Sequence, residues 1–532
     1  MSGVGKGVTS ASIGKILQSR GFEVTAIKID PYVNIDAGTM NPTEHGEVFV
    51  LDDGMECDQD MGNYERFLDR DLPKNNYMTT GSIYQAVIER ERRLEYKGKC
   101  VEVVPHIPME VLDKINGAAR KNKAEIVITE IGGTVGEYQN ILFLEAVRML
   151  KLKKPSDVLL VLVSYLPTIG AAGELKTKPT QYAVKTLNYA GLQPDIIVAR
   201  MAFSIDKKRK EKISFNCGVR EEAIISAPDV ENIYEIPINF EKDNLSALIA
   251  KKLKIRPRKK DLKEWNKFIG KINSAKETVK IGIVGKYFAT GDFVLTDSYI
   301  SVIEAIKHAA CFFRKKPVIE WLNVEEFENK KNLKKLDKLD GIIVPGGFGN
   351  RGAEEKIETI NYCRVKKIPY LGICYGMQLA VVEFARSIAG LKDANTTEID
   401  SKTPYPVIDI LPEQKNKISK KNYGGSMRLG AYPARLKNGS IARFAYKKDF
   451  ISERHRHRFE VNPDYIDKLG DAGLVFSGFS SDKRLMEIIE LPKKNHPFFV
   501  GTQFHPEFKS RPLNPHPLFK EFIKSAIKNR KK

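Results

Sequence analysis

The chain of 532 residues is too long for a single hydrophobic core, and ordinary domain sizes predict about two to four units. Its longest uninterrupted apolar run, residues 158–163, is far shorter than the roughly 20 residues that cross a bilayer, so we expect no membrane anchor. The net charge of +20 is carried largely by dispersed lysines without interleaved aromatic residues. We therefore expect a solvated basic surface and no nucleic-acid partner.

The six cysteines, at positions 57, 100, 217, 311, 363 and 374, form no Cys-x-x-Cys pair and have no zinc-ligand spacing. The first residues do not have the charged-then-apolar pattern of a secretory leader. We therefore expect a reducing, cytoplasmic setting.

Residues 2–10, Ser-Gly-Val-Gly-Lys-Gly-Val-Thr-Ser, have the character of a phosphate-binding loop that runs into a helix over residues 10–19. Glycines allow backbone N–H groups to approach phosphate oxygens, and Lys6 adds a positive charge. The motif lacks the full Walker spacing and follows no predicted strand. By itself it is weak support for nucleotide binding.

Residues 24–29 predict a buried strand, and the polar residues 36–49 that follow have no periodicity, which is typical of an active-site loop. Residues 52–60 then concentrate five carboxylates. Such acidic clusters are usually solvated turns. Beside a phosphate-binding loop, however, a carboxylate that holds Mg²⁺ is expected, because the metal neutralises the phosphates that it bridges.

Further apolar strands are predicted over residues 125–130, 158–163 and 195–199. Glu130 stands at the carboxyl end of its strand, where open parallel sheets bind ligands, so it is a good candidate for a metal ligand. Residues 173–181 form a polar loop with two lysines, for which a solvated loop is the alternative interpretation.

The lysine-rich residues 250–280 are interpreted as the region of a linker. A strand over residues 280–284 opens a second alternating β/α pattern. Because there are no internal repeats, the two halves are predicted to be different α/β domains.

Residues 369–378 join a short apolar strand to an apolar helix through Cys374, with glycines two residues before and two residues after it. This pattern predicts a nucleophile elbow, in which the thiol is exposed at the carboxyl edge of a sheet and the next N–H faces a developing oxyanion. His505 and Glu507 offer a base and a carboxylate that orients it. The glycines of residues 345–349, which follow a strand predicted over residues 341–344, are candidates for a second oxyanion N–H.

Taken alone, Cys374 is more often a small buried hydrophobe than a nucleophile. In the order glycine pair, cysteine, His-x-Glu, the motifs resemble the class I glutamine amidotransferase domain. The resemblance implies Cys374 as nucleophile, His505 as base and Glu507 as its orienting group, in the hydrolysis of glutamine to glutamate and ammonia. The rest of the chain is then expected to consume the ammonia.

Longer motifs in both halves resemble the CTP synthase family over nearly the whole chain. They are residues 5–7, 28–32, 45–49, 63–67, 130–136 and 176–181 in the first half, and 425–430 and 453–458 in the second. The resemblance implies an α/β fold with two doubly wound domains. These are a P-loop-like synthetase domain over residues 1–253, a linker over 254–279 and a class I glutamine amidotransferase domain over 280–532.

The resemblance also implies a ligase reaction, the last step of de novo CTP synthesis. ATP phosphorylates O4 of UTP, because phosphate is a better leaving group than an amide-like oxygen, and ammonia displaces it to form CTP. Mg²⁺ is the implied metal, ATP the co-substrate, GTP an allosteric activator of glutamine hydrolysis and CTP a feedback inhibitor. A homotetramer is implied, and filament formation is left open.

Residue roles follow from the same resemblance. For catalysis they are Cys374, His505, Glu507, Lys6 and Lys28; for the metal, Asp60 and Glu130; for ATP, Gly3, Val4, Gly5, Lys6, Gly7, Val8, Asp60, Arg200, Pro228, Asp229 and Val230. For UTP and CTP they are Ser2, Glu137, Tyr138, Gln139, Lys176, Thr177, Lys178, Pro179, Thr180, Gln181 and Lys212; for glutamine, Gly347, Tyr375, Gly376, Met377, Gln378, Glu398 and Arg458. His45 and Val48 are implied on the ammonia path, and Arg428 with residues 454–458 in the response to GTP. A solvated run of arginines is the alternative interpretation of these residues.

Three features depart from the family pattern. Gln139 stands where the family usually has a glutamate, and Tyr375 where it usually has leucine. Only the backbone N–H is needed at Tyr375, so we expect little harm there. Met1 stands where the family has a further strand and a glycine pair, so we expect that the sequence begins downstream of the true start, and that as written it is poorly stable and nearly inactive in phosphoryl transfer.

Two alternatives are weighed against this interpretation. One is another glutamine-dependent P-loop amidoligase of the cobyrinic acid amide synthase type, which the pyrimidine loop of residues 176–181 disfavours. The other is a filament-forming regulatory protein without activity. An inactive protein need not retain the nucleophile, its base and both metal-ligand candidates.

Overall fold

The computed structural model of the chain describes residues 3–169, 174–258, 261–286, 289–290, 293–294, 296–411, 414 and 424–530. The helices are α1 (Lys6–Ser19), α2 (Pro42–His45), α3 (Asp60–Leu68), α4 (Thr80–Arg92), α5 (Val103–Asn122), α6 (Ile141–Lys153), α7 (Lys178–Tyr189), α8 (Lys207–Cys217), α9 (Ile236–Lys242), α10 (Leu245–Lys252), α11 (Lys263–Asn273), α12 (Ile300–Phe312), α13 (Ala353–Lys366), α14 (Tyr375–Ser387), α15 (Ile441–Tyr446), α16 (Ile466–Asp471) and α17 (Pro517–Asn529). Within these described stretches, no helix is both long and apolar enough to cross a bilayer.

The strands are β1 (Val24–Asp30), β2 (Val48–Val50), β3 (Glu56–Asp58), β4 (Tyr77–Thr79), β5 (Ile126–Ile131), β6 (Val161–Tyr165), β7 (Thr168–Ile169), β8 (Glu174–Leu175), β9 (Ile196–Met201), β10 (Ile224–Pro228), β11 (Thr278–Gly285), β12 (Ala289–Thr290), β13 (Phe293–Val294), β14 (Lys316–Asn323), β15 (Gly341–Val344), β16 (Tyr370–Ile373), β17 (Ala394–Thr396), β18 (Tyr405–Ile410), β19 (Arg428–Leu436), β20 (Phe450–His457), β21 (Phe459–Val461), β22 (Val475–Ser480), β23 (Met486–Glu490) and β24 (Phe499–Thr502). Short 3₁₀ helices span Lys74–Asn76, Tyr138–Asn140, Glu221–Ala223, Ile233–Glu235, Thr296–Tyr299, Val324–Glu328, Lys330–Lys338, Pro463–Tyr465 and Pro506–Lys509.

The chain divides into two compact units. The first unit comprises Met1–Asp36 and Asn63–Ile269, and the second comprises Ala37–Gly62 and Gly270–Lys532. This division differs in two places from the predicted boundaries at residues 253 and 280. Residues 37–62 belong with the second unit, and much of the predicted linker is packed structure.

The packed part of the predicted linker is helix α11. Trp265 on this helix is buried, and its indole N–H donates a hydrogen bond of 2.8 Å to the Tyr234 carbonyl. Phe67 and Phe268 contribute further ring contacts to the same cluster. This aromatic packing explains why the chain up to Ile269 stays with the first unit.

The first unit contains two three-stranded parallel sheets, in the orders β4-β1-β5 and β10-β9-β6. All of β1 is buried, whereas most of β5 is half-buried. Within the described residues, β5 pairs with β1 alone and β6 with β9 alone. The expected upstream strand stays a prediction.

Helix α1 begins at Lys6, four residues earlier than predicted. Gly5 caps it with φ 83°, a left-handed conformation that glycine adopts at little cost. The loop therefore turns directly into the helix, and the N-terminal N–H groups of α1 lie beside Gly5.

The second unit is built on a nine-stranded sheet of order β14-β11-β15-β16-β24-β23-β22-β19-β20. The strands from β14 to β24 are parallel, and those from β24 to β20 are antiparallel. The neighbours β15, β16 and β24 end next to one another, because Val344 pairs with Gly372 and Ile373 pairs with Thr502. The segments that follow these three strands therefore meet at one edge of the sheet.

The β2–β3 hairpin belongs to the second unit although it comes from the first half of the sequence. Asp52 accepts a 2.5 Å hydrogen bond from Arg454, and Glu56 accepts one of 2.8 Å from Arg456. Glu47 accepts hydrogen bonds from the backbone N–H and hydroxyl of Ser301. Two of the five clustered carboxylates thus bind arginines, so solvated turns do not describe this hairpin.

Candidate functional site

The predicted sharp turn at Cys374 is present. Cys374 lies between β16 and α14 with φ 52° and ψ −102°, an unusual conformation for a residue with a side chain. A Cβ at Gly372 would lie 2.6 Å from the Tyr370 hydroxyl, and one at Gly376 would lie 2.1 Å from the Val344 carbonyl oxygen. Both flanking positions therefore require glycine, as the motif predicts.

His505 and Glu507 meet beside this turn. The imidazole Nδ1 of His505 and the Glu507 carboxylate are 2.7 Å apart, and both residues are buried. Burial alone would lower the pKa of His505, but Glu507 and the Cys374 sulfur raise this pKa to about 10. The imidazole is therefore held in its charged form, with Nδ1 occupied by the carboxylate.

Gly346 faces both reactive side chains. A Cβ placed there would lie 2.9 Å from His505 Cε1 and 3.7 Å from both His505 Nε2 and Cys374 Cβ. Among the described residues, Nε2 makes no hydrogen bond. The glycine therefore leaves space on the side of the imidazole that faces the cysteine.

A cavity of about 1140 Å³ opens over this cluster. Of the predicted glutamine-binding residues, Gly347, Gln378, Glu398 and Arg458 line it. Met377 instead packs in the hydrophobic core, while Tyr375 and Gly376 pack against neighbouring segments rather than the cavity. Only backbone groups of those three residues remain as candidates for ligand contact.

Polar contacts hold the cavity side chains in place. The Glu398 carboxylate accepts a hydrogen bond of 2.7 Å from Gly349 N–H, and burial raises its pKa. Arg458 donates to Ser426 Oγ at 3.0 Å and to Gln414 Oε1 at 3.1 Å. A carboxylate and a guanidinium are thus fixed in one cavity, which suits a zwitterionic amino acid.

The cavity is also lined by residues that the sequence did not assign to glutamine. They include residues 38–42, Glu47, Lys286, Phe348, Arg351, Arg456 and Phe508. Val48, predicted on the ammonia path, is one of the lining residues. His45 ends helix α2, where Nδ1 lies 3.5 Å from Asp58 Oδ2. The polar, aperiodic residues 36–49 were the sequence signal that could have pointed to this wall of the cavity. They were expected in the first domain, however, whereas residues 37–62 belong to the second unit.

The predicted GTP-responsive arginines are not solvated. Arg428 is held by Glu460 and Glu487, each at 2.8 Å. Arg454 is fully buried and lies 5.4 Å from the centroid of the Phe49 ring. The interpretation of this run as a solvated surface is therefore wrong for both side chains.

In the first unit, a buried charge cluster lies at the ends of β1 and β5. Lys28 pairs in register with Glu130, and its Nζ lies 3.0 Å from the Glu130 carboxylate and 3.7 Å from that of Asp30. The Tyr64 hydroxyl also donates to Glu130. A buried carboxylate is a suitable oxygen ligand for Mg²⁺, so Glu130 fits the predicted metal.

Asp60, the other predicted metal ligand, begins helix α3 in the second unit. Its backbone N–H donates a hydrogen bond of 2.7 Å to Asp58 Oδ1. Its carboxylate has the right chemistry for Mg²⁺.

A second cavity, of about 300 Å³, lies beside the phosphate-binding loop within the first unit. Predicted ATP-binding residues that line it are Gly5, Val8, Arg200, Pro228, Asp229 and Val230. Gly3, Val4, Lys6 and Gly7 are outside its lining. Arg200 donates a 2.8 Å hydrogen bond to Asp229, and β9 and β10 bring the two together because Pro228 pairs with Met201.

The apolar wall of this cavity was not predicted from the sequence. Ile233, Ile236 and Phe240 form this wall, beside the polar Asn239. Apolar residues after a strand carry no chemical signature, so no motif pointed to them.

The predicted pyrimidine residues lie mainly around the start of α7. Thr177 caps this helix, and Lys178, Pro179, Thr180 and Gln181 form its first turn. Lys176 forms an ion pair of 2.6 Å with Glu174, and Lys176 and Lys212 both lower the pKa of Glu174, Lys176 the more strongly. The loop and α8 therefore bring these two lysines to one region.

The turn of residues 137–139 is largely exposed. Glu137 accepts a hydrogen bond from Thr134 N–H, which lowers its pKa, whereas Tyr138 and Gln139 are exposed. Ser2 lies outside the described residues.

Comparisons with known proteins match each half of the chain to a different family. Residues 1–255 match the family described as CTP synthase N-terminus, and residues 294–525 match glutamine amidotransferase class-I. A CTP synthase of Pyrococcus abyssi is 53% identical over 99% of this chain and 96% of its own length. One of Caldanaerobacter subterraneus is 49% identical over the same shares.

Among solved structures, the glutaminase domain of the Trypanosoma brucei CTPS with bound acivicin is 36% identical, with a TM-score of 0.43 over 47% of this chain and 94% of that chain. Since the sequence relatives match from end to end and the two family matches occur in the same order, this chain belongs to the CTP synthase family.

Proposed function

We propose that this chain is a ligase that converts UTP to CTP, using ATP and ammonia from glutamine, through a 4-phosphorylated UTP intermediate. The observation that carries the proposal is the meeting of Cys374, His505 and Glu507 at the ends of adjacent strands, in a chain that matches CTP synthases throughout. The amidoligase and filament alternatives are not favoured by that full-length match.

In the glutaminase reaction, the Cys374 sulfur attacks the side-chain carbonyl carbon of glutamine. The carbonyl oxygen becomes an oxyanion, which the N–H groups of Tyr375 and of the residue 345–349 loop stabilise. His505, charged through the influence of Glu507, donates a proton to the departing nitrogen and ammonia leaves. Water activated by His505 then cleaves the thioester to glutamate.

Substrate glutamine is held by its charged ends. Arg458 pairs with the α-carboxylate and Glu398 with the α-ammonium, because both side chains line the cavity over Cys374. Gly347 and Gln378 border the same space. Ammonia would then leave past Val48, and we propose His45 as the next residue on its path.

In the synthetase reaction, Lys6 and Lys28 hold the transferring phosphoryl group by their positive charge. Asp60 and Glu130 are the proposed ligands of Mg²⁺, which neutralises phosphate charge when bound. The Gly5 loop and the Arg200–Asp229 pair border the cavity for ATP.

The pyrimidine triphosphate is proposed to bind at Ser2, residues 137–139, residues 176–181 and Lys212. The lysines in this set supply the charge that a triphosphate needs. Gln139 replaces a carboxylate in this set, so its contact to the pyrimidine is expected to change from that of the family pattern.

We further propose a cytoplasmic homotetramer that GTP activates and CTP inhibits. Nucleotide should promote assembly by mass action, which light scattering with and without UTP and ATP would test. Glutaminase rates that do not respond to GTP, or synthesis that does not respond to added CTP, would contradict the regulatory part.

The direct test of the function is CTP formation from UTP, ATP, Mg²⁺ and either glutamine or ammonium. Dependence on all components, with both nitrogen sources effective, is the expected result. A chain that hydrolyses glutamine but never forms CTP would favour the other amidoligase, and a chain inactive in both assays would favour the regulatory protein.

A further inference from the structure

Lys356 is a buried lysine that the proposed mechanism does not use. It lies in the first turn of helix α13, and only 1% of its surface is exposed. Among the described residues, its Nζ makes no hydrogen bond and no ion pair. Burial, together with the nearby positive charge of Lys286, lowers the pKa of this lysine to about 7.

The position opposes a positive charge in three ways. Burial disfavours the charged form, and no carboxylate in the described part of the chain pairs with it. The N-terminal end of a helix also carries a partial positive charge, so a cation in the first turn is repelled. A lysine at such a place is therefore expected to stabilise a neighbouring group that is or becomes negative.

What lies nearby is the proposed oxyanion-binding loop. A Cβ at Gly347 would lie 3.8 Å from Lys356 Nζ and 3.8 Å from Tyr375 Cδ1. Lys356 Nζ lies 5.3 Å from the centroid of the Tyr375 ring, which is within cation–π distance. The charge is therefore next to both segments whose N–H groups are proposed to bind the oxyanion.

Tyr375 ties the same parts together. Its hydroxyl donates a hydrogen bond of 2.6 Å to the Gly349 carbonyl, and its backbone N–H is the one directly after the nucleophile. A leucine, the usual residue of the family pattern, could make neither the hydrogen bond nor the cation–π contact. Lys356 and Tyr375 thus support the loop together, through contacts that a leucine at position 375 would lack.

The charged groups on neighbouring elements do not neutralise Lys356. Glu383 on α14 is bound by Arg364, and Glu325 on the adjacent 3₁₀ helix is bound by Arg351. Lys286, after β11, has the same sign as Lys356. Glu398 accepts a hydrogen bond from Gly349 N–H, and its negative charge favours the charged form of Lys286.

We propose that Lys356, held against the Tyr375 ring, is a positioning residue that stabilises the oxyanion formed in glutamine hydrolysis. This proposal rests on the roles proposed above for Cys374 and Gly347.

In that step the sulfur forms a bond to the amide carbon, and the carbonyl electron pair moves to the oxygen. The ammonium of Lys356 favours this negative charge through the loop, without touching the substrate. When the oxyanion collapses, the pair returns to the carbonyl and the C–N bond breaks as His505 protonates the nitrogen.

The test uses the full chain with the Lys356→Met substitution. At about pH 6, where the Lys356 ammonium is still charged, the glutaminase kcat should fall about ten-fold or more while KM changes little, because the oxyanion exists only during reaction. Ammonia-dependent CTP synthesis should keep its wild-type rate. Lys366→Met is the matched control, since Lys366 lies on the same helix over the Tyr362 ring but is exposed, and it should leave both activities unchanged.

The pH profile separates charge from packing. In the unmodified chain the contribution of Lys356 should be lost as pH rises through about 7, where its ammonium deprotonates. Lys356→Arg should retain glutaminase activity above that pH, because a guanidinium stays charged. Tyr375→Leu, which keeps the ammonium, should lose less activity than Lys356→Met.

Three results would overturn the proposal. The first is a Lys356→Met kcat within about two-fold of the wild type at about pH 6, which is far below the loss expected for an oxyanion-stabilising group. The second is an equal loss of ammonia-dependent synthesis. The third is an identical pH profile for Lys356→Met and the unmodified chain. If Cys374→Ala retains glutaminase activity, the proposed site itself fails, and that outcome is distinct from a failure of Lys356.

Discussion

The two charge clusters of this chain are built differently. In the second unit, Cys374, His505 and Glu507 follow adjacent strands of one nine-stranded sheet, and Nε2 of the imidazole makes no hydrogen bond among the described residues. In the first unit, Lys28 and Glu130 lie on neighbouring strands of a three-stranded sheet and neutralise each other. The first cluster thus keeps an imidazole nitrogen that can take part in proton transfer, whereas the second is internally paired. In the proposed phosphoryl transfer, the second cluster would have to exchange this ion pair for its ligands.

The substitution Cys374→Ala tests the first of these two clusters most directly. Glutamine-dependent CTP synthesis should fall by a factor of about 1000 or more, because the nucleophile is lost. Ammonia-dependent synthesis should persist. Cys311→Ala, which removes another buried cysteine of the same unit, is the control and should leave both rates unchanged. Loss of both activities in Cys374→Ala would contradict the separation of the two sites.

Glu130→Gln tests the other cluster. Synthesis with either nitrogen source should fall about 100-fold or more, because an amide is a poor Mg²⁺ ligand and Lys28 loses its neutralising partner. Glutamine hydrolysis should continue. The matched control is Glu145→Gln, which removes the carboxylate of a surface pair with Arg148. Full CTP output from Glu130→Gln would show that this carboxylate is structural.

Asp52→Asn addresses the hairpin of residues 37–62. The substitution removes the charge of the carboxylate that pairs with the fully buried Arg454, which should destabilise the second unit by about 2 kcal/mol after allowance for the partial exposure of Asp52. Urea unfolding measures the loss. Asp449→Asn, in an exposed pair with Arg443, should cost less than about 0.5 kcal/mol. Equal stabilities would show that the ion pair does not hold the hairpin.

Counted per pH unit, the smallest expected effect is the change of stability with pH that His505 causes. Because its pKa is raised to about 10, its contribution to stability should be complete below its usual value of about 6.5 and decline as pH rises towards 10. The difference in unfolding free energy between the unmodified chain and His505→Gln should therefore shrink by about 1.4 kcal/mol per pH unit at most. A difference that is constant from pH 7 to 10 would contradict the charged imidazole.

Local patterns predicted much of the second unit's site. The strand over residues 341–344 has the predicted bounds, and the glycines around Cys374 occupy positions that have no room for a Cβ. The His-x-Glu spacing likewise places Nδ1 of His505 on Glu507. These features could be predicted because each depends on residues that are close together in the chain.

Boundaries and orientations were less predictable. Residues 37–62 were assigned to the first half because they follow β1 in sequence, whereas Arg454 and Arg456, some 400 residues away, bind Asp52 and Glu56. Met377 follows the nucleophile closely but faces the core, because successive helical residues point in different directions.

The sequence by itself determined the chemistry that is available: a thiol on a glycine-flanked turn, a histidine two residues from a carboxylate, and a glycine–lysine loop before a helix. Only the tertiary structure decided that Lys356 is buried against Tyr375 and Gly347, and that Lys28 is neutralised by Glu130. The physical reason is that the state of a charged side chain depends on the solvent and charges around it, and packing between distant segments sets both.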